Sequence, residues 1–141
     1  IYNSTFVENN GDGIYVYGGG AILNIGSTIS VENTGYNVYV LGTGVSDGYN
    51  LIGDAVMLFS VASDQLGVTL TALDLGPLQD NGGLTNTLMP NIGSLAIDNG
   101  EPSDLSGAQN GEIIDGIRDA GAAENYSCPV ILSSYFASSC G

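Results

Sequence analysis

The feature that most constrains the fold is an internal repeat in the first fifty residues. "STFVENNGDGIYVYG" (residues 4–18) returns as "STISVENTGYNVYVLG" (residues 27–42), at an offset of 23 that becomes 24 after one inserted residue. Each copy reads as a short strand, an Asn/Gly turn and a second strand in which Tyr alternates with Val, and "AILNI" at 21–25 supplies a further strand between them. A unit of this length buries its apolar face only by stacking on its neighbours. Strand–turn–strand copies without helical periodicity therefore predict an all-β chain, a parallel β-solenoid. Alternation sends Ile14 and Val16 to one face and Tyr15 and Tyr17 to the other, and Val38, Val40 and Tyr39 repeat the choice. The run "AVMLFSVASDQL" (55–66) is ambiguous by period and reads as strand because Val and Phe dominate it.

Composition agrees. Glycine occupies 22 of 141 positions, about twice its ordinary frequency, and hydrophobic residues make up 43%, so the chain turns often yet has a core to bury. Charge excludes whole classes of partner. Fifteen acidic residues face one Arg, with no His, for a net charge of −14. Nucleic-acid backbones and anionic bilayer surfaces are bound through Lys and Arg, so both are expected to be rejected. No run of about 20 apolar residues is present, so no membrane-inserted helix is expected. Ile1 opens directly into strand-like sequence without a basic leader, which implies a processed start or a chain cut from something longer.

Three regions follow in order: β-solenoid coils over 1–73, a loop-rich cap over 74–125, and a Cys-flanked terminal strand over 126–141, all in one structural domain. Cys128 and Cys140 are the only cysteines, and a bridge between them would staple the C-terminus in an oxidising, extracellular setting. Between them "PVILSSYFASS" (129–139) reads as a strand that must pair with some edge, either of its own solenoid or of a neighbouring subunit.

Downstream of the repeat, "SDGYNLIGD" (46–54), "LGPLQDNGGLTNTLMPNIGSLAIDNG" (75–100) and "RDAGAAE" (118–124) stand in order. Together they resemble the C-terminal region of secreted bacterial right-handed β-helix proteins with a choice-of-anchor end. The resemblance covers roughly eighty residues, and its most specific string is LGPLQDNGG. It implies a right-handed parallel β-helix with an irregular C-terminal cap, on a surface or secreted protein. It implies no catalytic activity.

Several residues are candidates for more specific roles. Asp80 and Asn81 in "GPLQDNGG" offer oxygen ligands to calcium, but one carboxylate is few for a calcium loop, and the string reads first as turn punctuation of the cap. Asp12 ("GDG") and Asp98 ("DNG") are the other calcium candidates, and no other cofactor is expected. Arg118, the lone cation, reads as a structural ion-pair centre between Asp98 and Asp119, with Asp115 also near in sequence. The alternative, a lyase arginine, lacks the further cations that an anionic substrate requires. Asp47 with Asp54, or Asp98 with Asp104, are possible glycosidase pairs that are also ordinary turn chemistry. Asn3 ("NST") and Asn125 ("NYS") fit the glycosylation sequon. An outward Tyr row could stack on sugars, or it could be strand chemistry alone.

The sequence thus predicts a non-enzymatic extracellular structural protein, a β-helical homo-oligomer or homopolymer subunit of a filament or stalk joined through its chain ends. The competing expectation is a glycan-binding adhesin or a polysaccharide-degrading β-helix enzyme.

Overall fold

A computed structural model describes residues 1–56, 61–112, 114 and 116–125. The expected Cys128–Cys140 bridge, the terminal strand, Asp115 and the middle of the 55–66 run lie outside the described residues.

Among the described residues, seven strands and one helical turn follow in chain order: β1 (Thr5–Val7), β2 (Ile14–Gly26), β3 (Ile29–Val31), β4 (Val38–Gly48), β5 (Leu51–Ile52), β6 (Ala55–Val56), β7 (Gln65–Leu66) and α1 (Leu70–Leu73). The odd-numbered strands form one sheet, β1–β3–β5–β7, and the even-numbered strands another, β2–β4–β6. The chain therefore changes sheet at every step, and every strand pair within a sheet is parallel. Parallel neighbours need a long crossover. Here the strand of the opposite sheet supplies it.

The repeat is the register. Thr5 pairs with Ile29 and Ile14 with Val38, both 24 residues on. Ile29 then pairs with Leu51, Val38 with Ala55 and Leu51 with Gln65, so the spacing shortens to 22, 17 and 14. Corners recur with the same regularity. Asn3, Ser27 and Tyr49, each two residues before an odd-numbered strand, have φ of 49°, 47° and 60°. Glu8 and Glu32 close β1 and β3 with φ of 53° and 49°. These left-handed corners turn the chain sharply at both ends of a three-residue strand. The predicted 21–25 strand fuses with its predecessor into the 13-residue β2. The fusion is made by a glycine bulge, because pairing jumps from Tyr17↔Leu41 to Ile22↔Thr43. Gly42 opposite that bulge must lack a side chain, since a Cβ there would lie 2.5 Å from the Ala21 carbonyl oxygen.

Two apolar clusters make the core. Ile14, Leu23, Ile25, Val38 and Ile52 fill the space between the sheets, with Phe6, Val16, Val40 and Ala55 at their margin. Ile29, Val31, Leu51, Val68, Leu73, Ala96 and Ala120 form the second cluster, on the opposite face of the odd-numbered sheet. Within β5, Leu51 belongs to one cluster and Ile52 to the other, as strand alternation requires. The odd-numbered sheet is thus buried on both faces. Its second cover is the loop-rich segment. After α1, capped by Thr69 and ended by Asp74 in the left-handed region, the chain returns across that face toward β1. Ala120 N–H donates to the Ala96 carbonyl at 2.9 Å, Gly121 N–H to Ser27 at 2.8 Å and Ala122 N–H to Thr5 Oγ1 at 3.0 Å. Residues 94–112 and 116–124 therefore flank the odd-numbered sheet, reaching β1 as well as α1.

Candidate functional site

The outward face of β2–β4–β6 carries the side chains the core rejects. Tyr15 and Tyr39 are register partners, and their rings lie 5.0 Å apart at 9°. A phenol ring is wider than that separation, so the two cannot lie side by side and must face each other. Tyr17 runs parallel to Tyr15 at 6.3 Å, and Tyr36 leans on Tyr39 at 4.9 Å and 37°. The stack continues a cross-strand ladder of the kind that stabilises sheets. Tyr17 stays 71% exposed and Tyr15 54%. Ile22, Leu41, Val45 and Val56 are exposed alongside them. Desolvation, followed by the neighbouring phenols of Tyr15, Tyr36 and Tyr17, pushes the Tyr39 hydroxyl above its ordinary pKa. The four phenol rings form one cluster.

The calcium candidates are not brought together. Asp12 Oδ1 accepts from Tyr36 N–H at 2.7 Å, and Asp80 Oδ1 accepts from Gly82 N–H at 3.0 Å. Asp98 sits in a left-handed corner with φ of 54°, its N–H donated to Asp119. Among the described residues no group of three or more His, Cys, Asp or Glu is arranged to hold a metal. "GPLQDNGG" is a clamp between loops. Asn81 Nδ2 donates to the Thr87 carbonyl at 2.8 Å beside an antiparallel Gln79↔Thr87 bridge, and Gly82 and Gly83 lie flat against the Asn110 and Gln109 carbonyls.

Arg118 is 2% exposed, and its Nη1 donates to the Ser106 carbonyl. Asp98 and Asp119 meet nearby through a backbone bond of 2.9 Å, Asp98 N–H to Asp119 Oδ1. The guanidinium charge also reaches Asp104, a residue not assigned to it from sequence. Of the possible carboxylate pairs, Asp47 accepts from the Tyr2 hydroxyl and Asp54 from the Asn37 amide, each a structural contact. The sequon amides are likewise occupied. Asn3 Nδ2 donates to Asp104 Oδ2 at 2.7 Å, and Asn125 Nδ2 donates to the Pro90 carbonyl.

One constellation escaped the sequence reading. Asn33, Asn37 and Asn50 are buried and tie successive rungs together. Asn50 Oδ1 accepts from Thr28 N–H at 3.1 Å while its Nδ2 donates to Asp64 Oδ1 at 2.8 Å. Asn33 Oδ1 accepts from Asn9 N–H at 3.0 Å, and its Nδ2 donates to Asn37 Oδ1 at 2.8 Å. The signal was available in "YNV" (36–38) and "YNL" (49–51), where the same dipeptide precedes β4 and β5.

No protein-family model, curated protein or solved structure matches this chain.

Proposed function

We propose that the chain is a stretch of right-handed parallel β-helix with a non-enzymatic, structural role in an extracellular or cell-surface filament or stalk. The observation that carries this reading is the strict alternation of strands between two parallel sheets, paired in register on either side of the glycine bulge. A chain that winds in this manner grows by adding rungs, and its crossovers take the right-handed sense that dominates parallel connections. The two sheets also end together: β1 and β2 lie at one end of their sheets, and β6 and β7 at the other. Ends of that kind are complementary but different, so copies joined through them propagate as a filament unless rotation closes a ring. With a net charge of −14 per copy, joining is repulsive until salt screens it.

Negative-stain imaging of the purified protein at neutral pH, at low salt and at about 0.5 M salt, tests the reading. Regular filaments that lengthen with salt support it. Uniform monomers under both conditions sink it.

A further inference from the structure

We propose that the outward face of β2–β4–β6 is a binding site for a neutral glycan chain. The argument begins with charge. On a chain of net −14, neither Ile14–Gly26 nor the stretch of β4 before Asp47 contains a charged residue. The part of the face that carries the tyrosines is therefore free of charged side chains from β2 and β4. Large apolar side chains also stay in water on this face: Tyr15, Tyr17, Ile22, Leu41 and Val45. A contiguous apolar face on a polar protein marks an interaction surface.

The chemistry of the face selects the occupant. Four phenol rings stand together beside aliphatic side chains. That mixture of apolar surface and neutral donor–acceptor groups matches a sugar chain, with its C–H faces and hydroxyl rims. Next to the tyrosines the bulge leaves a shelf: nothing stands within 4 Å of where a Cβ would sit on Gly18, Gly19 or Gly20. The shelf gives an extended chain room to lie flat beside Tyr17. Polyanions such as uronate or sulfated glycans are repelled by the −14 background. Because Tyr15 and Tyr39 cover each other, Tyr17 supplies the principal open ring.

The test uses cellohexaose, xylohexaose and chitohexaose as neutral probes and hexagalacturonate as the anionic one. Tyrosine fluorescence reports binding directly, since the chain has 8 Tyr and no Trp. At least one neutral probe is expected to bind with an affinity insensitive to salt. Tyr17→Ser is expected to weaken it about tenfold, while Leu84→Ser, on the far loop-rich segment, leaves it unchanged. Tyr17 is exposed enough for that variant to fold, which a thermal melt verifies. Failure of all three neutral probes overturns the proposal, as does equal binding of hexagalacturonate. A dimer in sedimentation that Tyr17→Ser abolishes also overturns it, by giving the face to self-association.

Discussion

The loop-rich segment forms one wall of the core, and a pair of substitutions measures how much it contributes. Ile25 and Ile29 lie on consecutive strands and are both fully buried, but in different clusters. Ile25 is covered between the two sheets. Ile29 is covered by Ala96 and Ala120 of the loop-rich segment, with Leu73 of α1 beside them. If that segment packs as tightly as a sheet, Ile29→Ala should cost as much as Ile25→Ala. Each removes a buried aliphatic side chain and leaves a cavity, a loss of about 3 kcal/mol. With an m-value of about 2 kcal/mol/M for a domain of this size, each variant should lower the urea midpoint by about 1.5 M. Ile22→Ala, 65% exposed on the outer face of β2, is the control and should fall within about 0.5 kcal/mol of the parent. Equilibrium urea unfolding followed by far-ultraviolet circular dichroism gives all three numbers. An Ile29→Ala cost indistinguishable from that of Ile22→Ala would refute the three-layer reading, because a merely draped segment leaves Ile29 little to lose.

Other perturbations follow from individual contacts. Gly83→Ala sets a Cβ 2.1 Å from the Gln109 carbonyl oxygen at φ of 78°, and should lower stability by about 2–3 kcal/mol in a thermal melt. Asn50→Leu adds apolar surface in a buried site yet strands Thr28 N–H and the Asp64 partner, so a loss of about 2–4 kcal/mol is expected by urea titration, and a gain would contradict the reading. Asp104 tests the acid limb. Burial alone would raise its pKa, but bonds from Ser106 and Asn3, with the Arg118 charge, outweigh it and hold the carboxyl below its usual range. A depressed carboxylate contributes stability above the unfolded pKa and loses it as pH falls through the folded value. Asp104→Asn should therefore flatten the stability–pH curve between about pH 4 and pH 2, and an unchanged slope would discount the group.

The first parallel pairings, β1 with β3 and β2 with β4, were legible because pairing in register forces like residues to recur at a fixed offset. Ile14 and Val38 are buried and Tyr15 and Tyr17 exposed, as period-two alternation requires. The later rungs were harder to read. Spacing falls from 24 to 14, and strands shrink to the two-residue β5 and β7, so the repeat fades from the sequence while the alternation between sheets continues. The destination of the loop-rich segment was hidden for a different reason. Its buried apolar contributions are small residues, Ala96, Ala108, Ala120, Ala122 and Ala123, which carry no periodic signal. Local turn chemistry specifies how such a segment bends but not which surface it covers.

The asparagines and aspartates show how one residue type can serve two purposes. Both read as turn formers, and turns do contain them, yet here the buried amides join one rung to the next. Asn37 donates to Asp54, and Asn50 to Asp64, so each amide takes its acceptor from the following rung. Other carboxylates follow the same rule of accepting from neutral donors. Asp12 takes Tyr36 N–H, Glu32 takes Leu70 N–H, Asp80 takes Gly82 N–H, and Asp119 takes the N–H groups of Asp98 and Asn125. An ionised carboxylate is a strong acceptor for such donors and needs no cation to be useful. A chain with fifteen acids and one arginine can therefore satisfy its acidic side chains by turning tightly and often, and its glycine and asparagine content is the complement of its charge. The acidity is, on this account, a by-product of how neighbouring strands are tied.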